Sequence, residues 1–378
     1  MRIAIVGAGF SGAVLAERLA CQGYSSVVYE ARDHVAGNCH TYRDERTGIL
    51  VHAYGPHIFH TSDEAVWDYV RRFDEFVPFV NRVKTHCKGR VYSLPINLMT
   101  INQFFGRAMG PSEAREFIES LGDFSIDNPI SFEEQALKFV GHDLYEAFFK
   151  GYTLKQWGID PRDLPASILK RLPIRFNYDD NYYSSRFQGM PKHGYTHVIE
   201  RILDSPLIDV RLGSVFDRED ANSFDHVFYT GPIDAWFGHA IGRLGYRTLD
   251  FKSEYHVGDY QGNAVINYPD LSYEFTRISE HKHFAPWEMH DETIIFKEYS
   301  RFCEVGDTPY YPIRLIKDKA LLQNYVALAK KEQNVTFMGR LGTYRYLDMH
   351  VSIRESLDLA ARFIAAPEKI PAFNVEVL

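Results

Sequence analysis

Six residues near the amino terminus, Gly7-Ala8-Gly9-Phe10-Ser11-Gly12, carry the spacing G-x-G-x-x-G. They follow a short β-branched run, residues 2–6, and precede a helical pattern with Ala13, Ala16 and Leu19 inward. Strand, glycine turn and helix in that order form a dinucleotide-binding fingerprint. Gly7 makes the tight turn, Gly9 lets backbone approach a pyrophosphate, and Gly12 lets helix and strand pack closely. The helix N-terminus adds amide donors and a positive dipole end for phosphate. A second strand, residues 26–29, ends in Glu30, 18 residues past Gly12. That spacing places a carboxylate where it accepts from a ribose hydroxyl.

Glu30 is followed by Ala31-Arg32-Asp33-His34-Val35-Ala36-Gly37-Asn38. This basic, glycine-containing loop resembles the second conserved stretch of FAD-binding proteins of the glutathione-reductase type. NAD dehydrogenases usually continue straight into another helix, so FAD is the expected cofactor.

The elements that must position such a site belong to a chain of 378 residues, enough for two or three domains. Hydrophobic residues at 45% and charged residues at 24% describe an ordinary globular protein. A net charge of −8 argues against a general nucleic-acid binder, which needs a positive surface. The longest uncharged apolar run, residues 3–16, carries three glycines and is too short to span a bilayer. Cys21, Cys39, Cys87 and Cys303 show no C-x-x-C pairing, so no metal site and no disulfide framework are expected, and the chain reads as cytoplasmic. The 24 tyrosines are harder to hide in a core than the 27 phenylalanines, because each buried phenol needs a partner. Some are expected to line a cleft that stacks on rings and donates to anionic oxygens.

Thr61-Ser62-Asp63-Glu64 reads as a capping box that opens a helix through Trp67, Val70 and Phe73. Residues 80–87 and 90–94, joined at Lys88-Gly89, read as a hairpin. A helical region follows over about 97–172, with a second capping box at Ser131 and Glu134. Residues 174–183 read as an aromatic strand, 225–232 as a return to the nucleotide unit, and 246–316 as mainly β. A helix over about 319–332 and a strand over 335–338 precede Gly339-Arg340.

Longer motifs make the chain resemble bacterial UDP-galactopyranose mutases. They include Y-G-P-H-I-F-H-T at Tyr54–Thr61, F-F-K-G-Y-T-L-K-Q-W-G at Phe148–Gly158 and L-P-A-S-I-L-K-R-L-P at Leu164–Pro173. F-N-Y-D-D-N-Y at Phe176–Tyr182, E-Y-S-R at Glu298–Arg301, P-Y-Y-P-I at Pro309–Ile313 and G-R-L-G-T-Y-R-Y-L-D-M at Gly339–Met349 continue the series in order. The resemblance implies a mixed α/β, multi-domain fold: a Rossmann-like FAD-binding domain, a helical insertion and a twisted antiparallel sheet. On this reading the FAD domain is discontinuous over 1–80, 195–245 and 317–378. The helical domain with a mobile loop covers 95–172, and the sheet domain covers 81–94, 173–194 and 246–316.

The resemblance also implies an isomerase that interconverts UDP-galactopyranose and UDP-galactofuranose. In that family reduced flavin forms a covalent N5–sugar adduct, and no net redox change results. A departing diphosphate calls for forked, permanently charged donors, and the matching residues are Arg171 and Arg277. Tyr182, Tyr311 and Tyr346 match tyrosines that donate to the diphosphate. Tyr152 and Trp157 match residues around uracil, with Phe148 and Thr153 beside them. Asn81 and Asn267 match polar contacts to the nucleotide sugar, and His60 matches a histidine near flavin and sugar. For FAD the match carries over to Gly7, Gly9, Phe10, Ser11, Gly12, Glu30, Asn38, His57, Ile58, Arg340, Leu347, Asp348 and Met349. His350 departs from the small or acidic residue expected there. The resemblance further implies a role in cell-wall or polysaccharide biosynthesis, a homodimer, and an external reductant such as NAD(P)H that binds transiently.

Three other readings stay open. A related mutase could take UDP-N-acetylgalactosamine or a dTDP-6-deoxy sugar. The scaffold also allows an FAD-dependent amine-oxidase-like oxidoreductase, which has no need for a diphosphate clamp. A non-catalytic sugar-nucleotide-binding subunit is disfavoured by the intact flavin motifs.

Overall fold

Strand Ile3–Val6 is apolar and buried on both faces, as a central strand of a parallel sheet must be. It lies in a five-stranded sheet ordered Ile208–Arg211, Ser26–Tyr29, Ile3–Val6, His226–Tyr229 and Val335–Phe337, all parallel. Helix Phe10–Ala20 packs on this sheet and against Met349–Ala365, so the glycine turn sits at the carboxyl ends of the strands. Ligands bind at that end of open parallel sheets. The computed structural model describes residues 1–166, 174–313 and 316–377, without the side chains of residues 316 and 317. Among the described residues no helix is long and apolar enough to cross a membrane.

A seven-stranded sheet forms the second layer, ordered Tyr311–Pro312, Tyr246–Val257, Glu292–Phe302, Arg277–Glu280, Val265–Asn267, Val83–Cys87 and Arg90–Leu94. The expected antiparallel arrangement holds except where Val265–Asn267 runs parallel to Val83–Cys87. That pair joins the early hairpin to a strand about 180 residues later in the chain, so no local turn dictates its direction. The hairpin turn has positive φ at both Lys88 and Gly89 (49° and 71°), the left-handed pair that a two-residue loop requires.

Helices Leu98–Phe105, Pro111–Leu121, Phe132–Leu144 and Gly151–Trp157 enclose a separate apolar cluster around Ile101, Ile118, Leu144 and Phe148. The Ser131–Glu134 capping box forms as expected. The helix after Thr61 instead starts at Glu64, and Asp63, not Thr61, caps it by accepting from the Val66 amide. Residues 174–183 form no strand. Side-chain oxygens of Asn177, Asp179 and Asn181 accept from the amides of Asp179, Asn181 and Tyr183. Three consecutive side-chain turns of this kind curl the backbone away from any ladder.

His52 and His281 are fully buried, and the His52 amide donates to His281 Nδ1 at 3.3 Å. Burial pushes the His281 imidazole down to about 3 and holds His52 well below its ordinary value, with the neighbouring histidine adding to the latter. Both are therefore neutral in the folded chain, whereas unfolded histidine titrates near about 6.5. Because the folded values lie lower, the unfolded chain binds more protons in acid. The contribution is complete above about pH 6.5 and is lost as pH falls, at up to about 1.4 kcal/mol per pH unit for each histidine. Melting temperature should drop steadily from pH 6.5 to 4.5, and His281→Phe should flatten that slope. Parallel slopes would mean that these histidines do not drive the acid sensitivity.

Candidate active site

The cofactor end is built on the glycine turn. Gly7 has φ +105°, and a Cβ there would fall 2.0 Å from Thr230 Oγ1. At Gly12 a Cβ would fall 2.0 Å from the Gly7 carbonyl oxygen, so this glycine sets how closely the helix meets the turn. Gly9, the N-cap, has no side chain to occupy the first amides of helix Phe10–Ala20. Its missing Cβ leaves a gap facing only Gly37 Cα at 3.9 Å.

Glu30 is buried at the end of Ser26–Tyr29. Its carboxylate accepts from the Ala8 amide at 2.8 Å and the Arg32 amide at 3.1 Å, tying the second strand to the glycine turn. Arg32 Nη2 donates to Asn38 Oδ1 at 2.7 Å, while Arg32 Nη1 is buried with no hydrogen-bond partner among the described residues.

A cleft of about 510 Å³ runs along this turn. Of the expected cofactor residues, Gly7, Gly9, Phe10, Ser11, Glu30, Asn38, His57, Arg340, Leu347 and Met349 line it; Gly12, Ile58 and Asp348 do not. Gly12 and Ile58 are buried behind it, and Asp348 is the N-cap residue of Met349–Ala365. The gap at Gly9, the unpartnered Arg32 nitrogen and the acceptor Glu30 fit a dinucleotide with an anionic centre and a ribose. Glu30→Gln replaces one acceptor oxygen with an NH2 group that cannot accept from the Ala8 or Arg32 amide. A hydrogen bond to a charged group is worth about 1.5–3 kcal/mol. FAD affinity should fall roughly tenfold to a hundredfold, read as flavin lost on dialysis, and unchanged retention would remove Glu30 from the cofactor site.

The second part of the site stands on the seven-stranded sheet. Arg277 pairs directly with Glu298 on one side and Asn267 on the other, which puts the three in one cross-strand row. Arg277 Nε donates to Glu298 Oε2 at 2.7 Å, and the Glu298 side chain is buried. Among the described residues no acceptor takes the two terminal nitrogens of Arg277 in a hydrogen bond. Burial opposes the Arg277 charge, but the Glu298 carboxylate, with Tyr152 and Tyr311 nearby, outweighs it and raises the pKa above its ordinary value. Burial also pushes the Tyr152, Tyr182 and Tyr311 phenols up, and Arg277 pulls each back in part. All three are neutral donors at neutral pH.

Tyr311 and Tyr346 stack with centroids 5.4 Å apart, and the Arg340 guanidinium lies 5.7 and 5.3 Å from their rings. Arg340 also donates to the Leu347 and Tyr310 carbonyls, so one arginine joins the cofactor cleft to the tyrosine pair. His57 lies between the two parts. Burial, then Arg340 and Arg277, lower its pKa to about 4, and its Nδ1 bonds the Gly55 carbonyl at 2.9 Å.

The structure places the remaining expected residues as follows. Asn81 is buried, its Oδ1 has no partner among the described residues, and its carbonyl accepts from the Tyr182 amide at 2.8 Å. Tyr152, Thr153 and Trp157 share helix Gly151–Trp157. Phe148 lies in the π-helical turn Tyr145–Lys150 and packs against Tyr92 and Phe104 in the helical core. His60 stacks on Tyr183 with centroids 3.8 Å apart. Arg171 falls within residues 167–173, outside the described residues.

Three positioning residues were not expected as site residues, although Glu298 opens the E-Y-S-R motif and Lys155 lies within F-F-K-G-Y-T-L-K-Q-W-G. Glu298 orients Arg277. The buried Arg247 donates to the Gln156 and Lys155 carbonyls and to Ser300 Oγ, holding the end of helix Gly151–Trp157. Lys155 Nζ lies 2.5–3.0 Å from the carbonyl oxygens of Tyr268, Asp270, Tyr273 and Phe275, which share its three N–H donors. It thereby ties the same helix to the loop between Asn267 and Arg277.

Residues 147–346 match the family model for UDP-galactopyranose mutase, and residues 5–73 match that for an NAD(P)-binding Rossmann-like domain. The chain is 56% identical to a Klebsiella pneumoniae protein named "Probable UDP-galactopyranose mutase", over 99% of this chain and 98% of that one. It is 49% identical to the dTDP-fucopyranose mutase of Escherichia coli, over 96% and 98% of the two chains. A crystal structure of reduced UDP-galactopyranose mutase superposes with a TM-score of 0.74 at 16% identity, covering 98% of this chain and 96% of that one.

Proposed function

The chain belongs to the UDP-galactopyranose mutase family of isomerases, with FAD as cofactor, and on that premise we propose that it interconverts UDP-galactopyranose and UDP-galactofuranose. The observation that carries the reading is Arg277: a buried carboxylate fixes its Nε, its terminal nitrogens have no protein acceptor among the described residues, and three neutral phenols surround it. Such a group suits a diphosphate that gains charge as it leaves the sugar.

Each part of the site has a task in that reaction. Glu30, Arg32 and the glycine turn hold the cofactor. Tyr152 and Trp157, on the helix fixed by Arg247 and Lys155, hold the nucleobase, and Asn81 and Asn267 contact the nucleotide sugar. Tyr182, Tyr311 and Tyr346 donate to the diphosphate, and Arg171 completes the clamp. When bound in its reduced form, the flavin would supply a nucleophile for the anomeric carbon in a reaction with no net redox change. The domain partition expected from the sequence, a cytoplasmic homodimer and a transient NAD(P)H reductant complete this reading.

The similarity to a dTDP-fucopyranose mutase favours a second reading, in which the sugar is 6-deoxy and the base is thymine. One added or missing group shifts preference by only about 1–3 kcal/mol, so the same clamp serves either substrate. Chromatography of UDP-galactopyranose, UDP-N-acetylgalactosamine and dTDP-fucopyranose reactions side by side, with dithionite-reduced protein, tests this. The UDP-galactose reaction should have the largest kcat/KM and yield a product of unchanged mass. Faster turnover of the dTDP sugar would transfer the assignment to it.

A further inference from the structure

Helix Gly151–Trp157 meets the loop between strands Val265–Asn267 and Arg277–Glu280 at two positions one turn apart. At Gly151 a Cβ would fall 2.2 Å from the Pro269 carbonyl oxygen, so backbone approaches backbone there. At Lys155 the ammonium has the carbonyl oxygens of Tyr268, Asp270, Tyr273 and Phe275 around it. The loop keeps this shape with bonds of its own. The Tyr268 amide donates to the Thr276 carbonyl at 2.8 Å, and the Tyr273 amide to the Asp270 carbonyl at 3.2 Å. The Asp270 carboxylate accepts from the Lys88 amide at 3.0 Å, so the partners bonded to the ammonium are backbone dipoles.

Four oxygens and three protons cannot pair one to one. What the oxygens share is a positive charge between them, the arrangement by which backbone carbonyls hold metal cations. Burial lowers the Lys155 pKa to about 8, with the Asp270 carboxylate opposing, so the ammonium is charged at neutral pH. A charge drawn out of water needs dipoles in place of its lost hydration, and the loop supplies four. The position of this cage gives it leverage on the site. Its loop starts after Asn267 and ends at Arg277, and the helix that enters it carries Tyr152 and Trp157.

We propose that residues 268–275 form a monovalent-cation cage whose resident ion is the tethered ammonium of Lys155, and that this charge sets nucleotide affinity by fixing the nucleobase helix against the strand of Arg277. Lys155 is on this account a positioning residue, and the inference rests on the nucleotide-sugar reading above. The cage then remains a cation site when the side chain is cut back. It should accept ammonium or potassium, which carbonyl oxygens coordinate, and refuse tetramethylammonium, which has no N–H and is too large. Because the helix contributes binding common to substrate and transition state, its loosening raises KM and leaves kcat nearly unchanged.

The test uses FAD-loaded protein at constant ionic strength, with flavin content measured on every sample. In tetramethylammonium chloride, Lys155→Ala should raise KM for UDP-galactopyranose at least tenfold, with kcat within about threefold of wild type. Ammonium chloride at about 100 mM should recover at least fivefold of that KM and raise the melting temperature of Lys155→Ala, while wild type responds to neither salt. Lys155→Met fills the cage with an uncharged stem, so its KM should rise likewise and ammonium should not restore it. Lys155→Gln, with two N–H donors and no charge, should behave as the methionine protein does, and it serves if the alanine variant does not fold. A purely structural lysine would lower the melting temperature and leave KM of the folded, flavinated protein alone. Wild-type KM in Lys155→Ala or Lys155→Gln, no response of the alanine variant to ammonium, or equal rescue by tetramethylammonium would each overturn the proposal. A wild type inactive on UDP-galactopyranose would count against the proposed substrate instead, and the melting temperatures in the two salts would still decide whether the cage binds a cation.

Discussion

Arg277→Ala should lower kcat/KM by roughly two to four decades, the scale of losing a preorganised donor to a developing anion. The same substitution should also destabilise the fold, because it strands the Glu298 carboxylate, which is buried and accepts from Arg277 Nε at 2.7 Å. Removing one partner of a buried ion pair costs about 3–5 kcal/mol, most of it the penalty of an uncompensated charge. The two effects separate in the double variant Arg277→Ala/Glu298→Gln. A neutral amide relieves the stranded charge, so melting temperature should recover most of the loss while activity stays absent. Arg277→Lys should rescue only partly, since a point charge cannot both bond Glu298 and present a fork to the diphosphate. Steady-state kinetics with flavin content and melting temperature on the same samples decide the matter. Near-normal turnover in a fully flavinated Arg277→Ala protein would remove this arginine from the site.

The cofactor end was legible because its determinants are local. Strand, turn, helix and the terminal Glu30 fall within the first 30 residues, and Gly12 answers to the Gly7 carbonyl within the same turn. Residues 174–183 were misread for the same reason in reverse. Their aromatic content suggests a strand, but Asn177, Asp179 and Asn181 bond the backbone locally and turn it. The cap at Asp63 was missed by two positions because Thr61, Ser62 and Asp63 are all competent acceptors. The supports of the substrate end were invisible for a different reason. Lys155 meets carbonyls more than 110 residues away, and Arg247 meets carbonyls more than 90 residues away. A backbone carbonyl is present at every position and leaves no pattern to read. The parallel pairing of Val265–Asn267 with Val83–Cys87 likewise depends on contacts that no local periodicity encodes.

Turnover should be confined to protein whose flavin is reduced, with the oxidised form slower by at least about a hundredfold, close to 2.7 kcal/mol in barrier. The argument starts from what the chain itself offers at the clamp. Burial keeps the phenols of Tyr152, Tyr182 and Tyr311 protonated, so they donate hydrogen bonds and do not attack carbon. His57 is neutral and bonded through Nδ1 to the Gly55 carbonyl. The Glu298 carboxylate is committed to Arg277 and Thr276. On the proposed reading these residues bind charge, orient the sugar nucleotide and exclude water, and the electron pair that displaces the diphosphate would come from the cofactor. Only reduced flavin carries that pair at its central nitrogen. Anaerobic assays of the same preparation before and after dithionite, followed by chromatography, measure the ratio. Oxygen or NADPH consumed in proportion to product would instead indicate an oxidoreductase. Equal rates for the two redox forms would place the nucleophile on the protein and overturn the flavin reading.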